Sequence, residues 1–396
     1  MAGDFTCFIN CRLCRGGQLV RDNLIVNNVT GQIADNIGYV STDAIDLQGG
    51  IIAPGFIELQ TNGMRGFHFT HFEDPLQYAN ALNNVAQYLP STGVTSFYVT
   101  IPTVASEHFK KILPSLSPRH VSRGASILGA HAEGPYLCPS KKGAHNADLF
   151  HVPSTPPIDV YGPAAESCNI LKLVTIAPEL DDSAALVRSL TSKGIVVSLG
   201  HSNASYDTGM TAIKAGAACL THTLNAMAPL HHRDPGLAGL VTASSSTAGT
   251  PFFSIIPDGN HLHPSVATML FHSNPTKCIL ITDSTELAGL EDGTYPGHSQ
   301  IPFNQTKVGN RVVIETTQTL IGGCADLSEC VSNLIEWSGC TVAEAVRCVT
   351  ENIVDLMGDG ARGKLESGRR ADFVVLNNQG HILQTWVAGQ QVYNGE

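Results

Sequence analysis

Histidine and acidic side chains follow five of the short apolar runs in this sequence, each time at the carboxyl end of the run. The segments are His131-Ala132-Glu133, Gly200-His201-Ser202, Thr221-His222-Thr223, Asp258-Gly259-Asn260-His261 and Thr282-Asp283-Ser284. One such residue alone is more often a hydrogen-bonded structural group. Five of them at the same end of successive units predict a shared site, because catalytic residues of parallel barrels lie at the carboxyl ends of strands.

These residue types suit metal-assisted hydrolysis. Two neutral imidazoles and one carboxylate, with a fourth position left for water, form a catalytic site of the zinc type. Glu133, His201 and His222 are the predicted ligands of one divalent ion, which would activate water and polarise a carbonyl group. Asp283 is the predicted general base and acid. His261 is predicted to hydrogen-bond the carbonyl oxygen and to share the charge that develops on it.

The apolar pattern also predicts the elements that must position these residues. Short apolar runs alternate with helical stretches through the middle of the chain, which indicates βα units and a parallel sheet. Eight such strands would close into a (β/α)8 barrel. They are predicted at residues 51–59, 94–100, 126–130, 171–176, 195–199, 217–221, 252–256 and 278–282. Two helix starts are predicted by capping-box spacing, at Asp326 with Glu329 and at Thr341 with Glu344.

Both ends of the chain have the alternation of β-strands instead. The predicted strands cover residues 5–13, 18–26, 33–40, 371–376 and 385–389. We therefore predict an α/β protein in which a TIM barrel of residues 54–359 is flanked by a small β-sandwich from residues 1–53 and 360–396. A G-x-G-x-x-G match at 358–363 has a helix before it and a strand after it. That order is the reverse of a dinucleotide fold, so we predict a turn between domains.

Composition excludes some function classes. The chain has 396 residues, of which 43% are hydrophobic, and a net charge of −11. It is long enough for one or two large cores, but it lacks the basic balance of a nucleic-acid-binding protein. An anionic substrate would need a local positive cluster, and His231-His232-Arg233 is the candidate, with a solvated loop as the alternative.

Cellular location follows from three further observations. No apolar run is long enough to span a bilayer, and no basic segment precedes an apolar stretch near Met1, which argues against a signal peptide. The eleven cysteines are an odd number and are scattered along the chain, as expected of reduced thiols in the cytoplasm. We expect a cytoplasmic enzyme for a small molecule, with neither nucleic acid nor membrane as a partner.

Taken as a set, the motifs resemble those of the amidohydrolase superfamily and, within it, of the N-acetylglucosamine-6-phosphate deacetylase family. The similar segments occur in the family's order, at residues 53–58, 131–135, 142–146, 200–204, 221–227, 258–261 and 282–283. Residues 363–372 resemble the stretch where superfamily members enter their last sandwich strands. The resemblance implies removal of the acetyl group from N-acetylglucosamine 6-phosphate, a phosphorylated amino sugar, giving acetate and the free amine.

The resemblance also implies roles for individual residues. Glu133, His201 and His222 would hold the metal, and Asp283 would move the proton. The implied substrate contacts are Ala144, His145, Asn225, Ala226, Arg233, Asp258, His261, Leu320, Ile321 and Gly322. Family members are commonly homodimers in which a basic residue of one subunit reaches the phosphate held by the other, so a homodimer is expected.

One segment departs from the wider superfamily. Many amidohydrolases carry His-x-His at the end of the first strand and bind two metals, whereas this chain has Gln60-Thr61-Asn62. Neutral amides are poor ligands for a second transition metal. We therefore predict one ion per subunit. Zinc is our choice among zinc, iron, cobalt and manganese, all of which this ligand set tolerates.

Two other functions stay open on the sequence alone. The chain could hydrolyse another amide, as aminoacylases and cyclic-amide hydrolases do. It could also be a catalytically inactive relative that serves in binding, although all three ligands and the base are retained. Pocket or surface roles are both open for His68, His71, Lys141 and Lys142, and Cys138 is expected to lie outside the ligand set.

Overall fold

The computed structural model describes residues 4–36, 44–243, 249–298, 301–317 and 320–395. Its central sheet has eight strands in sequential order, all paired in parallel. They are Phe56–Glu58, Val94–Pro102, Ser126–Glu133, Leu171–Ile176, Val196–Leu199, Cys219–Leu220, Phe252–Ile255 and Cys278–Leu280. The predicted α/β class and the parallel sheet are confirmed.

The two edge strands of this sheet lead into segments that meet. After the eighth strand, the amide of Asp283 donates to Gln60 O (2.9 Å), and the amide of Asn62 donates to Ser284 O (3.0 Å). The sheet is therefore curled, and the residues that follow the first and eighth strands lie side by side. This contact brings Asp283 next to the Gln60-Thr61-Asn62 segment.

The prediction of one strand at residues 51–59 is wrong, because this stretch belongs to two sheets. Ile51–Pro54 pairs antiparallel with Phe373–Leu376, whereas Phe56–Glu58 pairs parallel with Val94–Pro102. The chain changes sheets at Gly55, where a Cβ atom would collide with the Thr95 side chain. A residue without a side chain therefore allows the two segments to diverge.

Helices connect the strands and pack their buried faces against the sheet. In the described ranges the α-helices are Pro75–Tyr88, Ser106–Ile112, Pro157–Tyr161, Ser183–Thr191, Tyr206–Ala215, Pro264–Ser273, Leu327–Ser338, Val342–Arg347 and Glu351–Met357. Short 3₁₀ turns lie at Leu89–Thr92, Leu113–Leu116, Pro139–Lys141, Ala147–Leu149, Gly162–Glu166 and Leu237–Thr242. Both predicted helix starts are confirmed. Asp326 accepts from the amide of Glu329, and Thr341 forms a complete capping box with Glu344.

The chain ends form two further sheets around a shared core. One has the order Gln32–Ala34, Leu24–Asn27, Phe5–Ile9, Ala44–Asp46, and the other has the order Gln390–Asn394, Ile382–Val387, Phe373–Leu376, Ile51–Pro54, Arg12–Arg15, Gln18–Arg21. Phe8 and Phe373 are fully buried between them, and Trp386 stacks on Phe373 at 5.5 Å between ring centroids. The stretches predicted as strands at 5–13 and 18–26 are each divided in two by a turn. Residues 37–40 of the predicted strand 33–40 lie outside the described residues.

An antiparallel sheet inserted after the eighth strand was not predicted. Its strands are Gly293–Tyr295, Gln305–Val308, Arg311–Ile314 and Leu320–Gly323, in that order. A short hairpin, Gly63–Met64 with Phe67–His68, follows the first strand of the parallel sheet. Both additions lie at the carboxyl ends of the parallel strands, so they can cover whatever these ends bind.

Two further expectations concern the whole chain. Within the described ranges, no helix is both long enough and apolar enough to cross a bilayer. All eleven cysteines lie in described segments, and all of them are free thiols.

Candidate active site

The carboxyl ends of the parallel strands surround a cavity of about 560 Å³, and the predicted ligands and base line it. Glu133 is the last residue of its strand, while His201, His222 and Asp283 follow two or three residues after theirs. These three have positive φ angles of 49°, 31° and 45°. Non-glycine residues seldom adopt such angles, and they tend to do so at functional sites. The chain thus turns sharply at each strand end, in a way that leaves these side chains lining the cavity.

The predicted metal ligands converge on one point. Glu133 Oε1 lies 2.9 Å from His222 Nε2 and 3.2 Å from His201 Nε2, and the two imidazole nitrogens are 3.1 Å apart. The other ring nitrogens contact backbone carbonyls, His201 Nδ1 at Lys141 O (2.8 Å) and His222 Nδ1 at Asn225 O (3.2 Å). A carbonyl only accepts, so each Nδ1 carries a proton. Each Nε2 is then the nitrogen that would bind a metal ion, in place of its present hydrogen bond with Glu133.

Charge and burial at this point oppose each other. Burial would raise the pKa of Glu133, but hydrogen bonds from His145, His201 and His222 outweigh it and hold that pKa well below its usual value. Burial lowers the pKa of His201. For His222, burial is outweighed by the hydrogen bond and charge of Glu133, and its pKa rises to about 9. The buried carboxylate therefore stays ionised and requires positive charge beside it.

Asp283 is held by the two amides that replace His-x-His. Its Oδ1 accepts from Asn62 Nδ2 at 2.8 Å and from Gln60 Nε2 at 3.2 Å. Gln60 Nε2 also donates to Glu133 Oε1 at 3.0 Å. The amide groups thus orient the predicted base and one predicted ligand, a role that spacing alone did not reveal.

His261 is fixed from behind by Asp258. His261 Nδ1 lies 2.8 Å from Asp258 Oδ2, and Asp258 Oδ1 accepts from the amides of Asn260 and His261 at 2.9 and 2.8 Å. The Asp258 side chain is fully buried and does not line the cavity, whereas His261 does. The carboxylate therefore fixes the orientation of an imidazole ring that lines the cavity.

Most of the other predicted substrate contacts line the same cavity: Ala144, His145, Asn225, Ala226, Leu320, Ile321 and Gly322. His145 Nε2 lies 3.6 Å from Glu133 Oε2. Asn225 Nδ2 is buried and has no hydrogen-bond partner among the described residues. Arg233 is different, because it lies on an exposed loop and outside the lining of the cavity.

Several lining residues were missed by the sequence analysis. They are Thr103, Thr285, Glu286, Ile301, Pro302, Phe303 and Ile314, and the last four come from the inserted sheet and its loops. His68 and Lys142, whose roles were left open, also line the cavity, while Lys141 contributes its carbonyl to His201. Cys138 Sγ lies 3.2 Å from Ser140 Oγ. The proximity of Glu286 to Asp283 in sequence was the one available signal.

Comparisons with known proteins give a consistent result. Residues 51–392 match the model of the Amidohydrolase family. The N-acetylglucosamine-6-phosphate deacetylase of Rattus norvegicus is 36% identical over 98% of this chain and 96% of its own length. That of Caenorhabditis elegans is 35% identical over 98% and 94%.

A solved structure agrees with these relatives. It is a mutant N-acetyl-D-glucosamine-6-phosphate deacetylase from Mycobacterium smegmatis in complex with N-acetyl-D-glucosamine-6-phosphate. It superimposes with a TM-score of 0.84 at 26% identity, over 99% of this chain and 100% of that one.

Proposed function

The chain belongs to the amidohydrolase family and, within it, to the N-acetylglucosamine-6-phosphate deacetylases, and from this premise we propose how its own residues carry out the reaction. The enzyme hydrolyses N-acetylglucosamine 6-phosphate to glucosamine 6-phosphate and acetate. The likeness to deacetylases covers nearly the whole chain, and it disfavours the aminoacylase, cyclic-amide hydrolase and inactive-relative alternatives.

The observation that carries the proposal is the meeting of Glu133 Oε1, His201 Nε2 and His222 Nε2 within 3.2 Å of one another. Two imidazole lone pairs and an ionised carboxylate oxygen form the donor set of a catalytic zinc site. We assign these three residues to one Zn²⁺ per subunit. When bound, the ion would lower the pKa of a water molecule and polarise the acetamide carbonyl.

Asp283 is the proposed general base and acid. The two amides on its Oδ1 leave the other carboxylate oxygen available to take a proton from the attacking water. Asp283 then returns this proton to the amide nitrogen as the C–N bond breaks, which releases acetate and the amine. His261, held by Asp258, stabilises the negative charge on the carbonyl oxygen in the tetrahedral state.

The sugar phosphate is the proposed ligand of the remaining cavity residues. Ala144, His145, Asn225, Ala226 and the segment 320–322 are assigned to it. Asn225 Nδ2 supports this assignment, because a buried amide donor without a partner in the described part of the chain can be satisfied by an acceptor of the ligand. Asp258 is assigned to His261 rather than to direct contact.

We further propose that the curled parallel sheet is a (β/α)8 barrel of residues 54–359, with residues 1–53 and 360–396 as the second domain. The two sheets built from both chain ends support this division. Reduced thiols throughout support a cytoplasmic location. A homodimer is proposed from the position of Arg233, whose exposed loop suits contact with the phosphate in the partner subunit.

Acetate release tests the function directly. The purified enzyme should release acetate from N-acetylglucosamine 6-phosphate and turn over unphosphorylated N-acetylglucosamine far more slowly, because the phosphate supplies binding free energy. Equal kcat/KM for the two sugars would contradict the substrate assignment. Hydrolysis of N-acetyl amino acids with higher kcat/KM would favour the aminoacylase alternative.

Arg233→Ala should raise KM about 10-fold with little change in kcat, since a charged hydrogen bond to phosphate contributes about 1.5–3 kcal/mol. Steady-state kinetics with Arg188→Ala, an exposed helical arginine, as the control measures this. Mixing Arg233→Ala with Asp283→Asn subunits should restore low-KM activity if Arg233 acts across the dimer. A fall in kcat at unchanged KM would contradict phosphate anchoring.

A further inference from the structure

A second group of metal-ligating side chains lies at the cavity, on residues other than the proposed catalytic ligands. One ligand atom from each of His68, Glu286 and His298 lies within 4.8 Å of the other two. His298 Nε2 is 3.1 Å from Glu286 Oε1. Glu286 and His68 are buried and His298 is half-buried. Ligand atoms around one ion are separated by distances of this order, because each lies about 2.0–2.2 Å from zinc.

Two buried polar atoms at this point lack partners among the residues that the structure describes. Glu286 Oε1 accepts from Gln305 Nε2 at 2.8 Å. Its Oε2 is buried without a hydrogen bond from any residue that the structure describes, and the same holds for His71 Nε2. The His71 ring lies 4.8 Å from that of His298 and 5.3 Å from that of His68. Buried unpaired groups are rare in native proteins, and a bound ion is one of the partners that can satisfy them.

The four residues come from three separate segments. His68 ends the hairpin after the first strand and His71 follows it, Glu286 follows the eighth strand, and His298 lies between two strands of the inserted sheet. An ion held by all of them would join the hairpin to the inserted sheet beside the substrate cavity. Such a cross-link would add to the hydrogen bonds that the amides of Arg65 and Gly66 in the hairpin already donate to Ala288 O and Glu286 O.

We propose that His68, Glu286 and His298 bind one divalent ion of the zinc class, with His71 as the fourth ligand. Three imidazoles and a carboxylate suit zinc, and four protein ligands make a closed, structural site. Binding of the ion at His68 Nε2 would place the ring proton on Nδ1, where Thr70 Oγ1 at 2.8 Å can accept a hydrogen bond in place of the one that the Thr70 amide donates at 3.2 Å. The site is independent of the proposed deacetylation.

Zinc stoichiometry tests the proposal on the full chain. Protein stripped with a chelator and dialysed against Zn²⁺ should bind two ions per chain, measured by elemental mass spectrometry. His298→Ala and Glu286→Gln should each bind one ion, and Glu133→Gln should bind one. His272→Ala, which removes an exposed histidine, should still bind two.

The outcomes separate the two sites. One ion in the wild type that is lost in Glu133→Gln and kept in His298→Ala overturns the second site and leaves the catalytic one. One ion lost in His298→Ala and kept in Glu133→Gln does the reverse. Thermal unfolding of Glu133→Gln gives an independent measurement. One equivalent of Zn²⁺ should raise its Tm through the remaining site and should leave the Tm of a Glu133→Gln/His298→Gln protein unchanged. Equal shifts in both would also overturn the proposal.

Discussion

The Asp283→Asn variant is expected to lose about 10²–10⁴-fold in kcat while it retains its catalytic metal ion, because general acid–base catalysis contributes about this factor. Asparagine matches the shape of aspartate and keeps an oxygen for the amides of Asn62 and Gln60. It cannot take a proton at neutral pH. The loss should therefore fall on turnover rather than on metal content, and steady-state kinetics with elemental analysis measures both.

Asp181→Asn makes the same chemical change at an exposed position and should behave as the wild type. Near-normal turnover in Asp283→Asn would remove Asp283 from the mechanism. Loss of the ion together with activity would instead assign Asp283 to the metal site. The experiment thus distinguishes a proton carrier from a ligand.

Replacement of a proposed ligand should have a different signature. Glu133→Gln removes the carboxylate at the meeting point of His201 and His222. Changes to groups that merely support metal ligands cost about 10–100-fold in affinity, and loss of the ligand itself should cost more. The variant should therefore be purified without its catalytic ion and show no measurable turnover at stoichiometric zinc.

Glu336→Gln, at an exposed helical position, provides the matched control and should keep full activity. Titration with excess zinc should restore part of the activity of Glu133→Gln, since both imidazoles remain. Wild-type turnover of Glu133→Gln at stoichiometric zinc would mean that Glu133 does not hold the catalytic ion.

The candidate site was largely predictable because its residues are tied to strand ends. The apolar runs located eight strands, and the polar residues at or just after their ends pointed to Glu133, His201, His222 and Asp283, which the structure brings together at one cavity. Parallel strands bring their carboxyl ends to one side of a sheet, so distance along the chain does not matter. Hydrogen-bond partners such as Lys141 O, which fixes the tautomer of His201, depend on backbone positions that no residue type specifies.

Other features depend on contacts that a local pattern does not contain. The run through residues 51–59 is apolar apart from Glu58 because both of its halves are buried, although in different sheets, and the close approach of Gly55 to Thr95 divides it. The inserted sheet has short strands with mixed burial, for example Gln305–Val308, and so lacks strict alternation. Its contribution of Phe303 and Ile314 to the cavity could be found only from the fold.

The side-chain amide of Gln60 donates two hydrogen bonds, one to Glu133 and the other to Asp283. A single side chain therefore sets the spacing between the residue proposed to anchor the cation and the residue proposed to relay hydrogen ions. Exchange of Gln60 for histidine, the step toward a dinuclear centre, would remove both hydrogen bonds at once. A change from a mononuclear to a dinuclear centre would therefore require the positions of Glu133 and Asp283 to be rebuilt together. Variants that carry the Gln60 change alone should be poorly active, and this would preserve the present arrangement.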